Sequence, residues 1–219
     1  MKKQTEKERT LTAAEQRRKE RFEALKANLE RQGYTAKDLT IGVVRANVLA
    51  IVVMLPFIAV LIIAYVWVNG TLGDGLSLPG LLALLAVYFV LVAVHELIHG
   101  LVWGSCAPSR FKVIEFGVIW AALTPYCTCG EPLKKWQYIL GTAMPTLVLG
   151  FGLGAAAIWA GQRFLLYLAL LMTLGGGGDF CIIWKLLGYR PRGEAIYCDH
   201  PYECGVVAFE RPVRDANIT

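Results

Sequence analysis

Apolar and polar residues alternate along the chain in long blocks. The apolar blocks are separated by polar stretches and lie at about residues 43–68, 79–103, 136–160 and 164–187. Each is near or above the roughly 20 residues that a helix needs to cross a bilayer. The pattern predicts an all-α polytopic membrane protein with about four transmembrane helices, whose core covers residues 41–187.

The polar residues 1–40 are expected to form a cytosolic, basic, amphipathic N-terminal helix. Thr12 and Glu15 have the spacing of a capping box, and Gly33 is placed to end the helix. A narrow apolar stripe recurs at helical spacing among the charged residues: Phe22, Leu25 and Leu29. Such a helix either packs on the protein or is solvated, or it lies on the inner leaflet or gates a site. The pattern leaves these interpretations open.

A shorter apolar stretch, Phe111 to Tyr126, interrupts the polar segment between the second and third predicted helices. It is rich in β-branched and aromatic residues and is broken by Gly117 and Pro125. Because it is too short to span a membrane, we expect a short β-hairpin or re-entrant segment that lines a site. Residues 188–219 are expected to form a cytosolic C-terminal tail.

The composition fits one membrane-embedded domain. Of the 219 residues, 56% are apolar and only 18% are charged. Twelve of the 22 lysines and arginines lie at or before Arg45, so the net charge of +5 describes mainly the N-terminal segment. This distribution favours a lipid bilayer with an anionic surface as a partner, and it gives no indication of nucleic-acid binding. The six cysteines have irregular spacings and do not predict a disulfide framework.

The distribution of basic residues also predicts the orientation in the membrane. The loop at 69–78 contains no lysine or arginine, whereas the stretch at 104–135 and the segment after Leu187 contain Arg110, Lys112, Lys134, Lys135, Arg190, Arg192, Arg211 and Arg214. Cytosolic loops carry an excess of basic residues. We therefore expect a multi-pass protein of the cell membrane with both termini in the cytosol.

The sequence His95-Glu96-Leu97-Ile98-His99 lies at the end of the second apolar block. Residues four apart share one face of a helix, so His95 and His99 can bind one ion, and Glu96 can reach a water molecule beside it. This is the HExxH arrangement of zinc hydrolases. The alternative is a chance match with a polar patch between helices. An ionised side chain in a bilayer costs about 2.5–3.5 kcal/mol even on lenient insertion scales, a cost that a bound metal offsets.

A catalytic zinc ion usually has three protein ligands, so a third must come from elsewhere. The longer HExxHxxGxxH pattern fails because Val102 and Ser105 occupy the required Gly and His positions. Asp179 is the one acidic residue besides Glu96 inside a predicted span, and it lies at a depth similar to that of His99. We predict Asp179 as the third ligand. The alternatives are Glu115, Glu131, His200 and the cytosolic thiols: Cys127, Cys129, Cys198 and Cys204.

Four consecutive glycines, Gly175 to Gly178, precede Asp179. They predict either close helix packing or a local break that admits water or a substrate backbone. A second small-residue pattern, Gly150 and Gly154, is compatible with helix packing within the chain and with dimerisation. The sequence leaves both questions open.

Together these features resemble a known family of membrane zincin peptidases related to the site-2 proteases. The resemblance covers about residues 80–210 and is carried by the HELIHG element, the Gly117 hairpin, the run from Glu131 to Pro145, Gly178-Asp179, and Asp199-His200-Pro201 leading into Cys204-Gly205. It implies a zinc ion held by His95, His99 and Asp179, Glu96 as general base, and a hairpin that pairs with an unwound substrate. The chain departs from the site-2 proteases around the aspartate, because Phe180 follows it and glycines rather than an Asn-Pro element precede it.

The expected function is therefore an intramembrane zinc metalloprotease. It would hydrolyse a peptide bond of a membrane-embedded or juxtamembrane protein or peptide by means of water activated by Zn²⁺. The alternative is a non-catalytic membrane protein that binds or moves zinc, or a scaffold, which would need the two histidines and Asp179 but not Glu96. Imidazole and carboxylate ligands also suit other divalent ions, and the sequence does not determine the oligomeric state.

Overall fold

The computed structural model describes residues 11–119 and 124–212, which fold mainly into helices. In chain order the helices are α1 (Ala13–Arg31), α2 (Val43–Asn69), α3 (Leu78–Cys106), α4 (Lys135–Pro145), α5 (Leu153–Ala160), α6 (Arg163–Gly175) and α7 (Gly177–Gly188). A π-helical segment, Thr146–Gly152, joins α4 to α5. The strands are β1 (Thr35–Asp38), β2 (Ile114–Ile119), β3 (Thr124–Cys129), β4 (Gly193–Asp199) and β5 (Val206–Pro212).

Three helical segments of the described chain are long and apolar enough to cross a membrane: Arg45–Asn69, Leu78–Cys106 and Lys135–Ala160. The first lies in α2, the second is α3, and the third combines α4, the π-helical segment and α5. Helices α6 and α7 meet at a bend of 44° and make a fourth span if the pair counts as one. This agrees with the number of spans expected from the sequence. The bend lies in the glycine run, between the end of α6 and the first turn of α7, which carries Asp179.

The apolar helices pack as a bundle in which α2 contacts α5, α6 and α7, while α3 contacts α4 and α6. The two glycines of the small-residue pattern face other helices of the same chain. A Cβ atom at Gly154 would lie 2.7 Å from Leu61 of α2, and one at Gly150 would lie 2.7 Å from the Thr173 hydroxyl of α6. Both positions therefore serve packing within the chain.

The predicted N-terminal helix is confirmed as α1, with its capping box. The Thr12 backbone N–H donates to the Glu15 carboxylate (2.8 Å), and the Glu15 backbone N–H donates to the Thr12 hydroxyl (3.3 Å). Its apolar stripe packs on the buried face of a sheet around Phe209. Of the interpretations that the sequence left open, the structure favours a helix packed on the rest of the protein.

That sheet contains three antiparallel strands in the order β1–β5–β4. The expectations of an all-α protein and of a C-terminal tail both missed it. Strand β5 is buried from Val206 to Glu210, with α1 packed on one side, so it carries no alternation of apolar and polar residues. An apolar run of four residues is too short for periodicity to assign to a strand.

The predicted hairpin is confirmed in β2 and β3, which pair antiparallel from Ile114–Cys129 to Ile119–Thr124. The connecting residues 120–123 lie outside the described residues. The hairpin lies against α3, where Gly100 and Gly104 make room for the rings of Phe116 and Phe111. The hairpin is thus held beside the helical turn that carries the HExxH sequence.

Candidate metal centre

The structure brings the three predicted metal ligands together. His95 and His99 lie one turn apart on α3, and Asp179 lies in the first turn of α7. The Nε2 atom of His95 is 3.1 Å from Asp179 Oδ2, and the Nε2 atom of His99 is 3.4 Å from the same oxygen. The two Nε2 atoms are 3.2 Å apart. Three ligand atoms therefore form a nearly equilateral triangle.

The size of this triangle fits a zinc ion. In a tetrahedral site with metal–ligand bonds of about 2.0–2.1 Å, neighbouring ligand atoms are about 3.3–3.4 Å apart. The three measured separations lie at or just below this value, so the triangle matches one face of such a tetrahedron. Two imidazoles and a carboxylate are also a donor set that zinc accepts, and three protein ligands leave the fourth position open. The residues present thus fit the metal that the sequence predicts.

The triangle is shielded from solvent. His95 is 8% exposed and His99 is 4% exposed, and the Asp179 side chain retains 19% of its exposure. Within residues 11–119 and 124–212, these three residues form the one group of histidine, cysteine or acidic side chains close enough together to hold a metal ion. The partial exposure of Asp179 leaves the centre a path of access.

Contacts beyond the ligands fix the orientation of His99. Its Nδ1 atom lies 2.8 Å from the carbonyl oxygen of Gly141 in α4, which requires a proton on Nδ1 and leaves Nε2 free for a metal. The ring of Trp103 stacks on the imidazole at 4.9 Å between centroids and 14° between planes. Trp103 in turn donates from Nε1 to the carbonyl oxygen of Tyr138 (3.2 Å). Helix α4 therefore positions His99 through two carbonyl groups.

Glycine is required at position 141 for this arrangement. A Cβ atom at Gly141 would overlap the indole ring of Trp103, and the helix backbone leaves it no other direction. The absence of a side chain lets α4 approach α3 closely enough for the Gly141 carbonyl to reach His99. The tight contact between the two helices and the ligand orientation thus have one cause.

The glycine run before Asp179 serves packing at two positions and not at a third. A Cβ atom at Gly176 would overlap Thr146, and one at Gly177 would lie 2.7–2.9 Å from Ala50 of α2. A Cβ atom at Gly178 would meet nothing within 4 Å. The packing interpretation is therefore supported at Gly176 and Gly177, whereas the admission of water or a substrate backbone stays a prediction. Gly176 and Gly177 permit close packing at the bend, and Gly178 leaves open space beside Asp179.

Glu96 lies next to the triangle without belonging to it. Its side chain is half-buried and interacts electrostatically with His95, His99 and Asp179, and with the backbone N–H of Cys127 in β3. The carboxylate therefore lies between the metal ligands and the hairpin. This is the position expected of a group that exchanges protons with water at the metal.

The alternative acidic and imidazole ligands have other partners. Glu115 forms an ion pair with Arg21 of α1. Glu131 accepts hydrogen bonds from the backbone N–H (2.9 Å) and the hydroxyl (2.6 Å) of Ser109. His200 accepts from the backbone N–H of Glu203 through Nδ1 (2.9 Å). None of these three belongs to the metal-binding group found within the described residues.

The thiols are also absent from that group. Burial raises the pKa of the Cys129 thiol to about 12, and it raises the pKa values of Cys127 and Cys198 well above their usual range. The six cysteines are free, so the expectation of no disulfide framework agrees with the structure.

Comparison with known families is consistent with this centre. A family model described as "Putative zincin peptidase" matches residues 88–192, just under half of the chain. The match supports a zincin-like family. The matched segment contains the HExxH sequence, the hairpin, α4 and Asp179, and it ends before β4. No curated protein and no solved structure matches the chain.

Sequence reasoning did not find the residues that surround the ligands. Tyr138 and Gly141 lie in the Glu131–Pro145 run that contributed to the family resemblance, but no role followed from it. Trp103 lies one turn beyond His99, and that spacing was the available signal for a contact with the imidazole. The hydrogen bond from His99 ends on a backbone carbonyl, which every residue type has, so no residue pattern indicates it.

Proposed function

We propose that the protein is an intramembrane zinc metallopeptidase that hydrolyses a peptide bond in a membrane-embedded or juxtamembrane segment. The observation that supports this most strongly is the triangle of ligand atoms with the dimensions of a zinc site, beside which Glu96 is placed. The zincin-like family match supports the same class of reaction. A non-catalytic zinc protein or scaffold would use the triangle but would have no use for Glu96.

Different residues of the site have different roles in the proposed hydrolysis. A zinc ion held by His95, His99 and Asp179 would supply a Lewis acid that polarises a carbonyl group and acidifies water. Glu96 accepts a proton from the attacking water and delivers it to the amine that leaves. The Gly141 carbonyl and the Trp103 ring hold the His99 imidazole in place during this exchange.

The hairpin gives the substrate an extended partner. A helical peptide hides its backbone carbonyls in its own hydrogen bonds, so it must unwind before water can attack. Strands β2 and β3 lie beside Glu96, and Phe116 and Val118 of β2 are exposed. We assign to the hairpin the binding of an unwound segment by strand addition. The proposed partner is a membrane protein or peptide.

We further propose that the protein is a multi-pass protein of the cell membrane with both termini in the cytosol. His99 lies seven residues before the end of α3 and Asp179 nine residues before the end of α7, or about 10 and 14 Å at about 1.5 Å per residue. Arg110 and Lys112 lie just after α3, Lys185 lies in the last turn of α7, and Lys134 lies at the start of α4. In this orientation the site lies below the cytosolic surface.

The decisive experiment compares two variants of the detergent-purified protein, Glu96→Gln and His95→Ala. Zinc content would be measured by elemental analysis, and hydrolysis by cleavage of an unstructured, fluorescently labelled polypeptide and of a single-pass model peptide in nanodiscs. We expect Glu96→Gln to retain zinc and lose hydrolysis by at least about 100-fold, since general acid–base catalysis contributes about 10²–10⁴-fold. His95→Ala should lose both.

Two results would contradict the proposal. If Glu96→Gln cleaved either substrate as fast as the wild type, Glu96 would have no catalytic role. If the wild-type protein bound zinc and cleaved neither substrate, and Glu96→Gln had the same stability and zinc content, the scaffold alternative would be favoured.

A further inference from the structure

We propose that Asp199 is a positioning residue that holds the metal ligand His99 and the general base Glu96 in a fixed relation to each other. The inference rests on the proposed function and extends it to a residue outside the matched family segment. Asp199 is the last residue of β4 and is partly buried. Its two carboxylate oxygens receive hydrogen bonds from two different elements of the site.

One oxygen is linked to His99 through α4. The Tyr138 hydroxyl donates to Asp199 Oδ1. The carbonyl of the same tyrosine accepts from Trp103, whose ring stacks on His99, and the carbonyl of Gly141 one turn later accepts from His99 itself. Tyr138 is fully buried, so its hydroxyl has little freedom to choose another acceptor. Asp199 thereby fixes the end of α4 that orients the imidazole.

The other oxygen is linked to Glu96 through the hairpin. The backbone N–H of Cys129 in β3 donates to Asp199 Oδ2 (2.8 Å). Helix α3, which carries Glu96, packs against β3, and the backbone N–H of Cys127 two residues earlier on this strand is within electrostatic reach of the Glu96 carboxylate. Residues two apart on a strand point their N–H groups to the same side, so β3 presents one N–H to each carboxylate. Asp199 thereby fixes the position of β3 relative to Glu96.

The same contacts are not needed to attach the sheet to the bundle. Leu133 and Tyr197 exchange two backbone hydrogen bonds, each 2.8 Å long, and these hold β4 against the start of α4. Leu133, Tyr197 and Val206 also pack in one buried cluster with Trp103 and Tyr138. Removal of the Asp199 carboxylate therefore leaves the docking in place and releases the alignment of α4 with β3.

The test uses two substitutions that break one or both links and a third that keeps both. Asp199→Ala removes both. Tyr138→Phe removes the α4 link and keeps the hairpin link. Asp199→Asn keeps both, because its amide oxygen can accept from Cys129 while its amide N–H donates to the Tyr138 hydroxyl oxygen.

A matched control comes from the same sheet. The Glu210 carboxylate accepts from the Tyr189 hydroxyl (2.8 Å) and from the backbone N–H of Arg192 (3.3 Å), which is also one tyrosine and one backbone donor. Neither donor belongs to α4 or β3. Glu210→Ala and Tyr189→Phe therefore remove a pair of the same chemistry without touching the proposed alignment.

Each variant would be measured for kcat and KM on the nanodisc peptide and, independently of turnover, for the visible absorption spectrum of the cobalt-substituted protein. We expect Asp199→Ala and Tyr138→Phe to lower kcat by about 10–100-fold, the usual effect of removing an outer contact of a metal site. KM should change much less, and the cobalt bands should shift. Asp199→Asn should lie within a few-fold of the wild type, and the Glu210 and Tyr189 variants should match it.

The outcomes separate this inference from the proposed function. If the wild type is active and the Asp199→Ala variant is folded with unchanged kcat and cobalt spectrum, the positioning role is wrong and the peptidase stands. If no variant or wild-type protein hydrolyses peptide but the Asp199→Ala and Tyr138→Phe spectra shift, the peptidase is wrong and the alignment stands. If Asp199→Ala does not fold, Tyr138→Phe decides, and wild-type behaviour of that variant overturns the inference.

Discussion

His99 is held on three sides by atoms from its own helix α3 and from helices α4 and α7. Its Nδ1 faces the Gly141 carbonyl, its ring lies on Trp103, and its Nε2 faces the other two ligand atoms. A histidine so constrained loses little rotational freedom when it binds a metal, because that freedom is lost on folding. The affinity of the centre therefore depends on a glycine in another helix.

Substitution of Gly141 by alanine tests this dependence. The added methyl group would overlap the Trp103 ring, and overpacking of this kind costs about 1–3 kcal/mol. We expect Gly141→Ala to unfold at a lower temperature in detergent and to retain less zinc after dialysis than the wild type. Gly188→Ala is the control, since a Cβ atom there meets nothing within 4 Å. Normal zinc retention in Gly141→Ala would show that the close approach of α4 is not needed.

At this scale the sequence predicted residues whose chemistry is unusual for their surroundings. His95, Glu96 and His99 have a recognisable spacing, and Asp179 is a lone acid in an apolar span. Gly141 and Tyr138 were not predicted because they act through backbone carbonyls. Asp199 was noticed in a motif but received no role, since its importance depends on which elements meet at the end of β4.

Among the elements, the bend between α6 and α7 determines where the third ligand lies. The bend starts a new helix just before Asp179, and the free N–H groups of a helix N-terminus favour a carboxylate in the first turn. A continuous helix would give the aspartate no such environment. The glycines at the bend permit the close contacts with Thr146 and Ala50 that hold the two halves in place.

Two neighbouring glycines in this bend should respond to alanine in opposite ways. Gly177→Ala would force a methyl group against the backbone of Ala50 and should lower the melting temperature in detergent. Gly178→Ala meets open space and should leave it unchanged or raise it, since alanine is favoured over glycine in a helix by up to about 1 kcal/mol. Equal destabilisation by both substitutions would show that the run acts through backbone flexibility alone.

The three-stranded sheet should contribute a pH-dependent part of the stability. The hydrogen bond from the Tyr189 hydroxyl, with that from the Arg192 N–H, lowers the pKa of Glu210 in the folded protein despite burial. A carboxyl group of lowered pKa stabilises the fold above its unfolded pKa of about 4.3, and this stabilisation is lost as the pH falls through the folded value. We expect the melting temperature of Glu210→Gln to fall less than that of the wild type when the pH is lowered from 6 to 3.5. An equal decrease in both proteins would show that Glu210 makes no pH-dependent contribution to stability.

The helices and the hairpin could be predicted because their sequence patterns are long or are bounded by clear start, stop and turn residues. The spans are runs of apolar residues, and α1 has both a capping box and a stop. The sheet could not be predicted, because β1 has four residues and β5 is covered on both faces. Its strands come from the two ends of the chain, a pairing that no local pattern indicates.

For the whole molecule, the orientation predicted from the basic residues leads to a labelling experiment. Asp74 lies in the loop between α2 and α3, and Cys204 is an exposed native thiol on the opposite side. In intact cells a membrane-impermeant maleimide should label Asp74→Cys, whereas the native Cys204 should react only after permeabilisation. Cys204→Ser provides the background. Labelling of Cys204 in intact cells would contradict the proposed orientation.

The pairing of β1 with β5 means that the residues just after the first helix find their sheet partner only after residues 207–210 have been made. The candidate ligand set has the same order, since His95 and His99 precede Asp179 by 84 and 80 residues. A ribosome-bound chain therefore carries the HExxH helix without a complete centre until Asp179 has been added. In the proposed peptidase, hydrolysis would be withheld until the segment that carries Asp179 has been made, which would protect the translocation machinery and the nascent chain itself from premature cleavage.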